Sequence, residues 1–416
     1  MSYLKGLKCK ECGADYPADR SFFCAECLGP LEVVYDYEAI GADLSPGRIA
    51  NRSHSLWRYR ELLPVTEEPI TGQYSGMTPL VRAERLGKHL RATSLYLKDD
   101  TVNHPSYSYK DRVVSIALSR GVELGYQVFS CASTGNLGNA VAAHCARTGY
   151  PSLIFIPHDI ESPKIAGSLI YQPTIVALEG NYDDVNRLCC EIGDEYGWGF
   201  VNVNLRPYYT EGAKTLGFEI VEQLGWKLPD HVILPTAGGT LLPKVAKAFS
   251  ELARLGWATG NPRIHCAQAE GCAPVVHALH RNAELVDPEK PKTLAKSIAI
   301  GNPADGPYVL KEVRRSGGWG ETATDDEIVS AIRLLAEKEG IFAEPAGGTA
   351  LAVTMKLLEQ GRIDPEETIV IGITGSGYKA LDLFPRLDVD AVLQPRLSTF
   401  REWYEGHPIA QPVVRT

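Results

Sequence analysis

The chain has 416 residues, 44% hydrophobic and 22% charged, which excludes a disordered protein and leaves apolar material for a sizeable core and more than one domain. A formal net charge of -9 gives no basic excess to neutralise phosphates, so nucleic acid is not an expected partner. The first residues lack an apolar signal core and no window nears the ~18 apolar residues that span a bilayer, so a cytoplasmic protein that stays out of membranes is expected.

From the N-terminus, the first element is a pair of knuckles, Cys9-x-x-Cys12 and Cys24-x-x-Cys27, close to Gly13 and Gly29. Two such pairs set four thiolates for tetrahedral zinc, and the apolar residues around them are too few to fold the segment unaided. A zinc-ribbon-like module over residues 1–40 is expected, with an exit strand at Val33-Val-Tyr-Asp36. The alternative is a module that keeps its cysteines without metal. The other six cysteines, Cys131, Cys145, Cys189, Cys190, Cys266 and Cys272, lie among apolar or small residues and read as buried thiols. From Ser45 to Gly76, proline and glycine surround Trp57-Arg-Tyr-Arg60, the composition of a connector packed on a larger body.

Beyond the connector the pattern becomes α/β. Strands are predicted at Leu95–Leu97, Val128–Ser130, Ser152–Ile156, Thr174–Leu178, His231–Leu234, Arg263–Cys266 and Thr368–Gly372. Between them, helices are predicted over Arg112–Leu124, Asn139–Thr148, Asp183–Tyr196, Lys214–Leu224 and Asp325–Glu339. Such alternation predicts mostly parallel sheets with right-handed crossovers and ligands at the carboxyl ends of strands. A catalytic region over 41–416 is expected, with a smaller subdomain of roughly 125–210 inserted in the larger one.

The chemistry gathers in four stretches at strand ends. His104-Pro-Ser-Tyr-Ser-Tyr-Lys110-Asp-Arg112 puts an amine at the start of a helical run. Ala132-Ser-Thr-Gly-Asn136 opens the next helix and presents free backbone amides to an anion such as a carboxylate. Thr236-Ala-Gly-Gly-Thr-Leu241 follows a buried strand, and its glycines let amides converge on a phosphate. Thr374-Gly-Ser-Gly377 turns away from the last strong strand. An amine nucleophile near an anion nest points to amino-acid chemistry. The bland alternatives are a solvated lysine capping a helix and two ordinary loops.

These stretches resemble the threonine synthase family, whose cofactor-lysine motif is usually written Asn-Pro-Thr-Gly-Ser-Phe-Lys-Asp-Arg and in which Ala-Ser-Thr-Gly-Asn recurs. The likeness continues in Trp57-Arg-Tyr-Arg-Glu-Leu-Leu-Pro64, Thr78-Pro-Leu80, Glu211-Gly-Ala-Lys-Thr215, Gly301-Asn-Pro303, Glu344-Pro-Ala346 and Thr374-Gly-Ser-Gly377, so it spans nearly the whole chain. It implies the fold type II scaffold of pyridoxal phosphate (PLP) enzymes, tryptophan synthase β-like, with two parallel-sheet subdomains. By the same resemblance Lys110 is the Schiff-base lysine and general base, and Asn136 meets the cofactor's phenolic oxygen. Ala237, Gly238, Gly239, Thr240 and Leu241 cradle its phosphate, and the Thr374 hydroxyl faces the pyridine nitrogen, which favours elimination and replacement over transamination. Ser133, Thr134 and Gly135 would take the substrate carboxylate.

Departures from the family cluster at the substrate end. Counting back from Lys110, the family glycine is Tyr107 and the asparagine is His104; the arginine that grips the substrate phosphate is Tyr209; the cradle lacks the family's asparagines. A tyrosine at 107 is expected to shrink the pocket in favour of O-phosphoserine, unless its ring swings outward. The closest resemblance is then to the cysteate synthase branch, which adds sulfite to give L-cysteate for coenzyme M synthesis. The alternative is threonine synthase itself, acting on O-phosphohomoserine with water. Arg206, Ser106, Ser108 and Lys214 are candidates to hold the sulfite or phosphate anion, with Arg206 and Lys214 equally readable as salt-bridged residues. A homo-oligomer is expected on base rate. Two rivals are a non-catalytic protein on the same scaffold and a dinucleotide enzyme. The retained Lys110, Asn136 and Thr374 speak against the first, and no Gly-x-Gly-x-x-Gly supports the second.

Overall fold

The computed structural model describes residues 3–133, 135–157, 162–179, 182–384 and 389–407. Strands β1 (Leu4–Cys9), β2 (Asp15–Tyr16) and β3 (Leu31–Tyr35) form a small antiparallel sheet in the order β2-β1-β3. In β3, buried Leu31, Val33 and Tyr35 alternate with half-buried neighbours, so one face is turned inward. That face joins the main core, and Tyr35 donates a 2.8 Å hydrogen bond to Glu211 of the catalytic region.

At the other end of this sheet the sulfurs of Cys9, Cys12, Cys24 and Cys27 all lie within 4.8 Å of one another, with Cys9–Cys27 and Cys12–Cys24 at 3.5 Å. A tetrahedron with Zn–S of about 2.3 Å places its sulfurs about 3.8 Å apart, so the four thiolates fit zinc. Stripping the metal with a strong chelator is therefore expected to lower the thermal midpoint by several degrees. Cys24→Ser should show the same drop without chelator and no further drop with it. A midpoint indifferent to chelator in a metal-loaded sample would remove the metal from the account.

The catalytic region adds β4 (Leu80–Arg82), β5 (Ser94–Asp99), β6 (Phe129–Ala132), β7 (Ser152–Pro157), β8 (Thr174–Leu178), β9 (Gly199–Phe200), β10 (His231–Pro235), β11 (Arg263–Ala269), β12 (Gly320–Ala323) and β13 (Thr368–Ile373). Six of them form one sheet, ordered β12-β11-β10-β13-β5-β4, and four form another, ordered β8-β7-β6-β9. Every pairing is parallel except that of β4 with β5. The short β4, β9 and β12 carry too few apolar residues to stand out in the sequence. All five residues of β10 are buried, as expected of a parallel strand covered on both faces.

The helices run close to their predicted bounds, with two informative differences. One begins at Lys110 (Lys110–Glu123) rather than Arg112, and another at Asn136 (Asn136–Thr148) rather than Asn139. Both motif residues thus occupy helix N-termini. Residues 1–379 cluster as one compact unit and 380–416 as a second, whose described elements are a 3-10 turn, Leu381–Leu383, and a helix, Leu397–Gly406. The sequence had placed 41–416 in one region; the second unit lies beyond the last strong strand, where no core pattern separates it.

Behind Lys110 lies a fully buried ion network. Arg112 donates from Nε and Nη2 to Asp100 at 2.7 Å each, pairs bidentately with Glu219, and reaches the hydroxyls of Thr78 and Thr215. Lys98 closes it, 2.7 Å from Glu219. Arg112 and Lys98 hold the Glu219 carboxyl down at about 2 against the upward push of its burial.

Candidate active site

Lys110 is presented by a strap stitched to the turn after β13. The amide of Tyr109 donates to the Thr374 carbonyl at 2.9 Å, and that of Ser376 to the Tyr107 carbonyl at 3.0 Å. Asp111 fixes the strap from below, accepting from the Ser106 hydroxyl at 2.8 Å and from the amides of Ser106 and Ser108. Gly212 allows the next wall to approach: a Cβ there would lie 2.5 Å from the Arg112 carbonyl oxygen. The short helix Arg206–Glu211 before it consequently brings Tyr209 within reach of the lysine.

The Lys110 amine donates to the hydroxyls of Tyr109, at 2.9 Å, and Tyr209, at 3.1 Å. Burial alone would push this amine down, but the two phenolic oxygens outweigh it and hold it above the usual lysine range. Burial in turn pushes the Tyr209 phenol up to about 12. Neither tyrosine was singled out as a partner of Lys110 in the sequence: the Tyr209 contact spans 99 positions and carries no local signal, and an adjacent tyrosine such as Tyr109 says nothing by itself of where its hydroxyl lies.

Around the amine, Ser108 has a fully buried hydroxyl with no partner among the described residues. The Thr374 side chain is 4% exposed and makes no hydrogen bond to a described residue. Asn136 is engaged on both sides, donating to both Glu344 oxygens at 2.9 Å and accepting from Lys379 at 2.8 Å. Burial raises the Glu344 carboxyl, opposed by Lys379 and Asn136. Glu344 and Lys379 were missed as site residues, although Glu344-Pro-Ala346 had been noted as a motif. Ser133 is half-buried and accepts from the Gly135 amide at 3.3 Å; Thr134 lies outside the described residues.

The loop from Ala237 to Thr240 leads from β10 into the helix Leu241–Arg254. Gly239 has φ +93, and a side chain there would strike Asp305; a Cβ on Gly238 would meet nothing within 4 Å, so the space above that backbone is open. Asp305 braces the loop, donating its amide to the Gly238 carbonyl at 2.9 Å and accepting from the Thr240 hydroxyl at 2.9 Å. Open backbone at a helix N-terminus suits a phosphate. The orphaned Ser108 hydroxyl and the Thr374 hydroxyl suit a ring with polar edges, and the Lys110 amine suits its carbonyl. The residues present fit pyridoxal phosphate.

Four expectations need correction. Lys214 is fully buried and committed to Glu211 at 2.7 Å, Glu251 at 3.0 Å and the Leu62 carbonyl, an ion cluster beneath the N-terminal module rather than an anion site. Arg206 is paired with Asp305 at 2.7 Å, beside the cradle. Tyr107 adopts φ 59 and is 54% exposed, so its ring swings outward and does not fill the pocket. Ser106 spends its hydroxyl on Asp111; Ser108 alone of the four anion candidates has a free buried donor among the described residues.

A lysine strapped to the turn after β13, with an open glycine loop after the neighbouring β10 of the same mostly parallel sheet, is the arrangement of a lysine-anchored α/β cofactor enzyme. Residues 72–375 match the family described as pyridoxal-phosphate dependent enzyme. The threonine synthase of Methanocaldococcus jannaschii is 39% identical over 378 residues, 90% of this chain and 93% of that protein. That of Methanosarcina acetivorans is 37% identical over 94% of this chain and 95% of its own length. Among solved structures, a fungal L-serine ammonia-lyase from Rhizomucor miehei superposes with a TM-score of 0.63 at 20% identity, covering 76% of this chain and 99% of that one. O-ureido-L-serine synthase does so with 0.62 at 21%, covering 79% and 98%. The chain belongs to the pyridoxal-phosphate dependent enzymes of fold type II, among relatives called threonine synthases. No helix among the described residues is long and apolar enough to cross a membrane.

Proposed function

We propose that this enzyme expels phosphate from an O-phospho amino acid and adds water, as a threonine synthase does with O-phosphohomoserine, where the phosphate leaves the γ-carbon and the hydroxyl enters at the neighbouring β-carbon. The observation that carries this reading is identity of 37–39% running through nearly the full length of two proteins called threonine synthase. The outward ring of Tyr107 also removes the steric argument for a shorter substrate. A second reading, sulfite addition to O-phosphoserine, keeps one specific support. Tyr209 stands where the family's phosphate-gripping arginine belongs, and Arg206 and Lys214 are held by carboxylates.

The cofactor, when bound, supplies the electron sink that lets a carbon–hydrogen bond next to the amino group break. The Lys110 amine takes the proton from that carbon and returns protons later in the turnover. Amides at Gly135 and Asn136 with the Ser133 hydroxyl orient the substrate carboxylate. The loop from Ala237 to Leu241 holds the cofactor's phosphate, and the Thr374 hydroxyl, accepting or donating as the pyridine nitrogen requires, keeps that nitrogen from being fully charged. Tyr109 and Tyr209 close the space around the amine against water.

The test is phosphate release from O-phosphohomoserine and O-phosphoserine, each with and without sulfite, with the product identified by mass. Threonine from O-phosphohomoserine with water alone is expected. Cysteate from O-phosphoserine with sulfite, and no threonine, would establish the second reading instead.

A further inference from the structure

We propose that Tyr209 is the acid that protonates the departing phosphate, and that Lys110 reprotonates it. The inference rests on the proposed phosphate expulsion, and on where protons can lie around the amine. A lysine ammonium has three donors and no acceptor, so both tyrosines can only accept from it. The Tyr209 hydroxyl is 3.1 Å from Lys110 Nζ and has no other partner among the described residues. Its own proton is therefore left without an acceptor, in a side chain 4% exposed, at the place where the substrate must come to lie against Lys110.

The charge around this point says what such a donor is for. Arg206 is paired with Asp305, Lys214 with Glu211 and Glu251, and Lys379 with Asn136 beside Glu344. None of these three cations is free to neutralise a leaving phosphate, and the Lys110 ammonium stands behind the Tyr209 hydroxyl, so a proton passed through that hydroxyl can meet the charge. Burial pushes the Tyr209 phenol up to about 12, which keeps it protonated through the physiological range and available as an acid. A phosphate that leaves with the whole carbon–oxygen electron pair carries no proton, and is a base strong enough to take one from such a phenol. Acid and base are then well matched.

The circuit closes on itself. In O-phosphohomoserine Lys110 Nζ, having passed on the proton it first took from next to the amino group, removes one from the carbon beside the phosphate-bearing carbon, and that electron pair becomes the new double bond. The carbon–oxygen bond breaks with its electron pair on phosphate, which takes the Tyr209 proton. The phenolate left behind takes a proton from the Lys110 ammonium 3.1 Å away. One proton has moved from carbon to phosphate, and both side chains are restored. In the variant Tyr209→Phe, Tyr109 still holds the amine at 2.9 Å, so the first step can be separated from the second.

The experiment compares loaded wild type and Tyr209→Phe on O-phosphohomoserine in deuterated water. Phosphate release and deuterium entry at the α-carbon of recovered substrate are followed together. Release is expected to fall on the order of 10²–10⁴-fold, as for loss of a general acid, while exchange at carbon stays within a few-fold. The γ-chloro analogue, whose chloride leaves without a proton, should be turned over by the variant at close to the wild-type rate. Exchange that falls in step with release, or release at the wild-type rate, overturns the relay and leaves Tyr209 as packing. A wild type that releases no phosphate from either phospho amino acid overturns the proposed function, and the relay with it.

Discussion

Lys110→Ala, loaded with pyridoxal phosphate, is expected to lack the visible absorbance of a lysine-linked cofactor and to lose at least about 10³-fold in activity. The amine projects from the strap that is stitched to the Thr374 turn. Its removal leaves the phosphate cradle intact, so the variant should still take up cofactor in an easily dialysed form. The fold should survive, because Tyr109 and Tyr209 lose a donor and neither is left with a buried charge. An absorbance spectrum before and after dialysis decides the matter. A variant that keeps the band through dialysis would move the anchor to another lysine.

Arg112→Leu is expected to be the most destabilising single change in the catalytic region. The substitution leaves the fully buried Asp100 and Glu219 with one buried lysine between them. Breaking such a buried network from one side costs about 3–5 kcal/mol, a large share of the roughly 5–15 kcal/mol that keeps a domain folded. Arg112→Lys should recover only part of this, since an ammonium cannot reproduce the bidentate fork that spans both carboxylates. Urea unfolding of the three loaded proteins gives the comparison. A midpoint for Arg112→Leu within experimental error of wild type would mean that the network is offset by its own desolvation. The damage should extend to function, because Arg112 lies two positions from Lys110 on the same helix.

The parallel sheets were legible because buried strands such as His231–Pro235 are short, continuous apolar runs that nothing else in the chain imitates. The cofactor motifs were legible for a related reason: Lys110, the Gly238–Gly239 turn and Thr374 each depend on local backbone chemistry that nearby residues announce. What escaped was pairing at long range. Whether Lys214 faces an anion or Glu251, and whether Tyr107 turns in or out, depends on packing that only the assembled fold decides. Tyr209 illustrates the same limit. Its position was noticed as a missing arginine, while its contact with Lys110 was not visible until Gly212 had let the two helices meet.

Lys110 is fastened by its strap to the end of β13 in the larger sheet, whereas Ser133 and Asn136 follow β6 in the smaller one. The two ends of any bound amino acid would therefore be gripped by separate blades. A small rotation of one sheet against the other acts through a lever arm as long as the strands, and the separation between amine and carboxylate nest is the quantity it changes most. Reach along the substrate is then set by an angle as well as by the side chains that line the gap, and Asn136, bonded to Glu344 and Lys379, is one of the ties that hold that angle.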